Sequence, residues 1–414
     1  MPYNTQSICV MGLGYIGLPT ASVLATKGFS VLGVDVKQSI IDTINRGEVH
    51  IVEPDLHRLV RSAVDSKKLT ASLEPQKSDI FVIAVPTPFV SEDNQRRADL
   101  TYVDDAVEKI APFVEQGNLV VLESTSPVGT TERIARRISE LRPELLNENH
   151  DLEIFVAHCP ERVLPGKILQ EIIENDRIVG GIDEASTQKA ADFYRNFVRG
   201  AVITTTSRTA EMAKLTENSF RDTNIAFANE LSMICDSLGI DVWELIQLAN
   251  RHPRVNILNP GPGVGGHCLA VDPWFIVSRS PDKARLIRTS REVNEYKPHY
   301  VVEKIKTCAS RIKSPIIGCL GLSYKPNIDD LRESPALEVT KSLVQDIPEA
   351  KVIACEPHIS QDHLEGSGIE LINLEDLFTQ ADIIVGLVPH DHFRIISRSF
   401  LEGKMVIDTC GMFR

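Results

Sequence analysis

The sequence predicts an α/β protein: two Rossmann-like, doubly wound parallel-sheet domains joined by a central helical segment. Three observations carry that expectation. Over the first 200 residues, short Val- and Ile-rich runs alternate with longer amphipathic stretches. Between 207 and 300 long helical patterns replace them, and from 315 the strand rhythm returns. Runs apolar almost without a break suit strands buried on both faces, and helices between them make the sheet parallel.

In chain order, strands are expected at 7–11, 30–34, 79–85, 118–123, 153–157 and 201–205. The stretch 209–238 contains neither Pro nor Gly and is closed by Gly239, so it reads as one long helix. A turn-rich loop, NPGPGVGG at 259–266, follows, with a further helix near 283–303. Strands return at 315–322, 351–355, 381–388 and 404–408. Domains are accordingly placed at 1–206, 207–305 and 306–414, and no short repeat or low-complexity segment interrupts them. The glycine loop is expected to line a site between domains, where ligands tend to bind.

Composition narrows the function classes. The 414 residues carry a net charge of −13, with 43% hydrophobic and 24% charged residues. That balance is globular, and its sign argues against nucleic acid or an anionic membrane as partner. No apolar run approaches the ~20 residues of a membrane span. The opening MPYNTQSICVMGLGYIG lacks the basic region and cleavage site of a signal peptide. Eight cysteines with no CxxC spacing read as reduced thiols in a cytoplasm.

The first candidate site is Gly12-Leu-Gly14-Tyr-Ile-Gly17, between an expected strand and a helix running to about Lys27. Asp35 ends the next strand, which completes the dinucleotide-binding context. Gly12 allows the tight turn, Gly14 lets the backbone approach a pyrophosphate, and Gly17 lets helix pack on strand. Asp35 bonds the ribose hydroxyls and repels a 2′-phosphate, so NAD is favoured over NADP, with nearby Lys37 blurring the preference.

The second is Cys268, which follows a loop of four glycines and precedes Asp272 by four residues. A lone cysteine is ordinarily a small buried hydrophobe, and the other seven are read that way. A helix starting at Cys268 would lower its thiol pKa and put Asp272 one turn on. His267 reads as structural, and His158-Cys159 as a strand end. A thiol beside an NAD site has a use when an aldehyde must be oxidised further, through a thiohemiacetal to a thioester that water hydrolyses.

The third is Lys214 with Asn218, four apart on one helix face. The spacing is that of an unremarkable exposed pair, and equally that of a charge and an amide steadying an oxyanion.

GLGYIGLPTA (12–21), VPTP (85–88), ESTSPVGTT (123–131), CPERVLPG (159–166), RTAEMAKLTENSFRD (208–222), NPGPGVGGHCLAVDPWF (259–275) and YKPNIDDLRESP (324–335) occur in this order. Together they closely resemble the UDP-glucose/GDP-mannose dehydrogenase family over essentially the whole chain. Those NAD-dependent enzymes oxidise the C6 hydroxyl of a nucleotide sugar to a carboxylate in two steps. PERVLPG, HPRVNIL and GGHCLAVDPWFIV are most similar to the bacterial branch acting on UDP-N-acetyl-D-mannosamine. That branch supplies the uronate for surface polysaccharides such as enterobacterial common antigen or capsule.

The resemblance implies Cys268 as nucleophile, Lys214 and Asn218 at the oxyanions, and Asp272 in proton transfer or water orientation. It implies Thr125 holding a catalytic water and Glu161 taking part in thioester hydrolysis. Cofactor contacts are implied at Gly12, Gly14, Tyr15, Ile16, Gly17, Asp35, Thr87, Thr125 and Arg332, with no metal. Substrate contacts are implied at Glu161, Arg162, Val163, Lys214, Asn218, Asn256, Gly265 and Lys325, and at Arg254 reaching into a neighbouring subunit of a homodimer.

One position departs from the UDP-glucose branch, which carries a second carboxylate four residues after the match to Glu161. Here that position is Pro165, which makes an acetamido sugar the better fit. Three rivals stay open. A UDP-N-acetylglucosamine 6-dehydrogenase differs only in the C2 epimer, although AVDPWF leans towards the manno form. A one-step hydroxy-acid dehydrogenase has no use for Cys268, and a non-catalytic nucleotide-sugar sensor gains nothing from a nucleophile.

Overall fold

In the computed structural model, which describes residues 6–92, 95–164, 166–266, 268–393 and 396–414, strand β1 (Ser7–Met11) has two buried faces. Ile8 and Val10 enter one apolar cluster, Cys9 and Met11 another. The same alternation holds in β4 (Ile80–Ile83) and β7 (Leu119–Leu122), which explains why these runs read as continuously apolar. Burying each such aliphatic side chain stabilises the fold by about 1.5–3 kcal/mol.

By contacts the chain divides into two compact units, Met1–Thr216 and Glu217–Arg414. The first unit also contains β2 (Ser30–Val34), β3 (Leu69–Ser72), a hairpin of β5 (Phe89–Glu92) and β6 (Gln95–Ala98), β8 (Phe155–His158), β9 (Arg177–Gly181) and β10 (Val202–Thr206). Its eight-stranded sheet runs β10-β9-β8-β7-β4-β1-β2-β3. From β3 to β8 every pairing is parallel, in the order of dinucleotide-binding folds, and the winding reverses between β1 and β4. Beyond β8 the outer pair turns over: β9 meets β8 antiparallel through Ala157–Gly181 and His158–Gly180.

The second unit holds β11 (Ile316–Leu320), β12 (Lys351–Cys355), β13 (Glu370–Leu371), β14 (Ile383–Gly386) and β15 (Met405–Asp408). Its order is β13-β12-β11-β14-β15, parallel throughout, and it reverses between β11 and β14. Here too the central strands divide their side chains between two clusters. Helix Ser207–Leu238 is one unbroken element of 32 residues, and helix Arg285–Ala309 continues six residues past its expected end, through Pro298.

Five strands carry no sequence signal strong enough to mark them. β3 reads LTAS, β9 reads RIVGG with a charge and two glycines, and β13 has two residues. The other two, β5 and β6, form a hairpin separate from both large sheets. No helix among the described residues is long and apolar enough to cross a membrane.

Candidate active site

The glycine turn of the first unit sits at the end of β1, on the reversal point where such sheets bind ligands. Gly12 has φ +91°, and its N–H donates to Val34 O at 2.8 Å. A Cβ on Gly12 would lie 2.7 Å from Ala84 O, and one on Gly17 only 1.9 Å from Gly12 O. On Gly14 it would meet nothing within 4 Å. Two glycines therefore serve the fold, while Gly14 faces open space. Helix Gly17–Thr26 begins after Ile16 with no side-chain cap; Leu18 N–H and Thr20 N–H are taken by Gly14 O and Ile16 O, each at 3.1 Å, and Pro19 has none, so the Gly17 amide at the helix start is the one left for an anion. The residues present fit the pyrophosphate of NAD.

Asp35 is half-buried; it accepts Leu13 N–H and Lys37 N–H, each at 3.1 Å. It thus braces the glycine turn. Tyr15 is exposed and Ile16 half-buried beside it. The Thr87 hydroxyl donates to Thr125 O at 2.7 Å, tying the loop after β4 to the loop after β7.

Glu161 is buried in a cluster that spacing could not reveal. Its Oε2 accepts from Arg177 Nη1 at 2.6 Å and its Oε1 from Arg162 N–H at 2.7 Å. Glu123 belongs to the same cluster and accepts from the Tyr194 hydroxyl at 2.7 Å. Burial first, then the Glu161 charge, pushes Glu123 up to about 7. Arg162 Nη1 reaches Asp176 O at 3.3 Å, and Val163 packs on the core. His158 ends β8, as expected; burial above all holds it down at about 3, so its ring is neutral.

Lys214 is half-buried one turn after Glu211, whose carboxylate accepts Gly129 N–H at 2.6 Å and Thr131 N–H at 2.7 Å. Glu211 thereby caps helix Thr130–Leu141 and fixes the turn that bears Lys214. Asn218 lies one turn further along the same helix.

In the second unit Asn218 Nδ2 donates to Asp272 Oδ2 at 2.5 Å. Cys268 is exposed, Cys308 and Cys410 are half-buried, and the other five cysteines are buried. Burial pushes Cys9, Cys159 and Cys319 up to about 12. The helix begins at Asp272, not at Cys268, because Pro273 suits the first turn and Cys268 O already closes a turn with Val271 N–H and Asp272 N–H. The helix N-terminus therefore serves Asp272, which is buried in that first turn.

Two glycines of the loop are required by packing. A Cβ on Gly265 would lie 2.2 Å from Glu333 O, and one on Gly266 2.7 Å from the Tyr324 ring. These two glycines let the cysteine loop pack against the segment after β11. Three asparagines hold the chain leading into it. Asn224 brackets Asn256 O and Leu258 N–H, Asn250 brackets Ile257, and Asn229 accepts Gly261 N–H at 2.9 Å. Asn256 itself is exposed, and Arg254 stands on an exposed turn. Lys325 is half-buried in the loop after β11. Arg332 is exposed and forks onto Asp330. Pro165 and His267 lie outside the described residues.

Known proteins bear on this geometry. Residues 6–198 match the NAD binding domain of the UDP-glucose/GDP-mannose dehydrogenase family, 208–296 its central domain and 318–414 its UDP binding domain. An NDP-N-acetyl-D-galactosaminuronic acid dehydrogenase of Ralstonia nicotianae is 56% identical over 411 residues, covering 99% of this chain and 96% of that protein. The UDP-N-acetyl-D-mannosamine dehydrogenase of Escherichia coli is 50% identical over 420 residues, covering 99% of each. The solved UDP-D-ManNAc dehydrogenase of Pyrococcus horikoshii superposes with a TM-score of 0.88 at 37% identity, over 99% of this chain and 96% of that one. NAD is the cofactor of the matched first domain, in keeping with the open face of Gly14. With all three domains matched in order, the chain belongs to the UDP-glucose/GDP-mannose dehydrogenase family.

Proposed function

We propose that this enzyme oxidises C6 of UDP-N-acetyl-D-mannosamine to the carboxylate in two successive steps, consuming two NAD and one water. The observation that carries the reading is the bonded pair Asn218–Asp272 in the unit that exposes Cys268. What NAD supplies when bound is a hydride acceptor, twice per sugar, taking alcohol to aldehyde and thiohemiacetal to thioester.

Cys268 Sγ, as thiolate, adds to the aldehyde carbon and forms the C–S bond. Lys214 and the amide of Asn218 steady the oxygen of the resulting tetrahedral centre. The Asn218 amide has two hydrogens; one is committed to Asp272, which leaves the other for that oxygen. Water held at Thr125 attacks the thioester, the C–S bond breaks, and Cys268 leaves as thiolate. Glu161 assists that hydrolysis through water, held in place by Arg177. Asp272 receives or orients the proton. Lys325 and Arg254 give local positive potential for the diphosphate of an otherwise acidic chain.

In this reading 1–206 holds cofactor, 207–305 carries the cysteine loop and 306–414 takes the UDP-sugar. The enzyme is a cytoplasmic homodimer that supplies uronate for a surface polysaccharide. A second reading, the galacto substrate, is favoured by the 56% identity to the Ralstonia protein. Reduced cofactor formed per sugar, measured on UDP-ManNAc, UDP-GalNAc and UDP-GlcNAc in parallel, separates them. Two equivalents on the manno sugar alone support the proposal. Two on another epimer keep the thiol chemistry and change the substrate; one or none on all three sinks the thiol mechanism.

A further inference from the structure

The second unit repeats the glycine turn of the first in altered form. Gly12-Leu13 follows β1 and Gly321-Leu322 follows β11, with φ of +91° and +86° at the glycines. Each glycine N–H donates to the last carbonyl of the neighbouring strand, Gly12 to Val34 O at 2.8 Å and Gly321 to Cys355 O at 3.0 Å. An acid follows that strand in both, and takes the next leucine N–H: Asp35 from Leu13 at 3.1 Å, Glu356 from Leu322 at 2.7 Å.

Then the two copies diverge. Ser323 and Pro326 stand where Gly14 and Gly17 do, so the open backbone face is gone. Glu356, unlike Asp35, is fully consumed. It also accepts Ser323 N–H at 3.1 Å and bonds His390 Nε2 at 3.0 Å, with both side chains completely buried. His390 Nδ1 accepts Asn327 N–H at 2.9 Å, which puts the ring proton on Nε2, towards Glu356. Glu356, His358 and His390 bring donor atoms within 4.8 Å of one another, yet both ring nitrogens of His390 are already bonded inside the protein. That argues against a cation there.

The pair therefore grips the loop on both sides of Lys325, at Leu322 and Ser323 before it and at Asn327 after it. Ser323 Oγ adds a bond to Lys325 O at 2.9 Å, and Asn327 Nδ2 bonds Asp391 at 2.8 Å. We propose that Glu356 and His390 are positioning residues that set Lys325 against the diphosphate of the nucleotide sugar. This rests on the substrate reading above, in which Lys325 meets that phosphate.

The test uses the whole enzyme with UDP-sugar, free UDP as competitive inhibitor, and NAD. His390→Phe keeps a ring in edge contact with Phe393, now 5.4 Å between centroids, and removes the hydrogen bonds to Asn327, Glu356 and the Ser323 hydroxyl. The expected result is a rise of about ten-fold in KM for the sugar and in Ki for UDP, with kcat and KM for NAD within about two-fold. His390→Asn, which can still accept from Asn327, should recover part of the loss; it also serves if the Phe variant does not fold. In a Lys325→Ala background His390→Phe should add nothing further. An effect that persists in that background, or that moves kcat and KM for NAD equally, overturns the proposal. If Lys325→Ala alone leaves KM for the sugar unchanged, the substrate reading itself has failed, and the positioning role falls with it.

Discussion

Asn218 and Asp272 share a 2.5 Å hydrogen bond across 54 residues of sequence. The bond joins the long helix to the first turn of the helix beyond the cysteine loop. It fixes which way the Asn218 amide points, and it gives Asp272 a permanent donor.

Asp272→Asn should therefore act on chemistry more than on binding. The variant keeps shape but loses the charge that orients Asn218 and takes part in proton transfer. We expect kcat to fall by about 100-fold, with KM for the UDP-sugar little changed. Steady-state kinetics at fixed saturating NAD measure both. A rise in KM with kcat unchanged would remove Asp272 from the chemistry.

Gly12 and Gly14 should separate stability from cofactor binding. Gly12→Ala forces a Cβ to 2.7 Å from Ala84 O at φ +91°, and should destabilise the first unit by about 1–3 kcal/mol. Gly14→Ala meets nothing in the protein, so its thermal midpoint should stay put while NAD affinity falls about ten-fold or more. Calorimetric unfolding paired with NAD titration reads both quantities. Unaltered NAD affinity in a folded Gly14→Ala protein would contradict the pyrophosphate placement.

These contrasts also mark what the sequence could and could not convey. β1 and β2 lie where their apolar runs end, because a strand buried on both faces announces itself locally. The glycine turn was equally local. β9 was hidden because RIVGG resembles a loop, and only pairing with β8 and β10 makes it a strand. That Gly265 and Gly266 are demanded by packing is not legible locally, because the Glu333 carbonyl and the Tyr324 ring that crowd them come from more than 50 residues away. The asparagine brackets of the 256–261 segment and the Glu356–His390 pair are likewise long-range, so no periodicity or spacing carries them.

Glu123 should make the first unit less stable as pH rises. Its carboxyl is raised from 4.5 to about 7 by burial and by Glu161. The folded state then holds a proton that the unfolded chain has lost, so stability is greatest below about 4.5 for this group and declines as pH passes through 7. Glu123→Gln keeps an acceptor for the Tyr194 hydroxyl and cannot ionise. Its thermal midpoint should exceed that of the parent by a few degrees at pH 8, and the difference should vanish or reverse at pH 5. Equal pH slopes for the two proteins would show that Glu123 is ionised throughout.

The long helix supports a last expectation, about assembly. Phe220, Phe227 and Ile234 recur every seven residues along it and are 71%, 50% and 46% exposed. A stripe of that kind left in water is costly, and a second copy of the same helix is a self-complementary cover for it. The parent should sediment as a dimer, and Phe227→Asp as a monomer at the same concentration. If Arg254 serves the neighbouring active site, two inactive variants should complement each other. Cys268→Ser forms no acid, because a serine alkoxide is too basic to arise at neutral pH, and Arg254→Ala binds substrate poorly. In a mixed dimer one site combines both defects while the other has an intact thiol and an intact arginine. Mixing the two proteins under exchange should restore about a quarter of parental activity. No recovery, with mixed dimers verified by mass, would mean that Arg254 acts within its own chain.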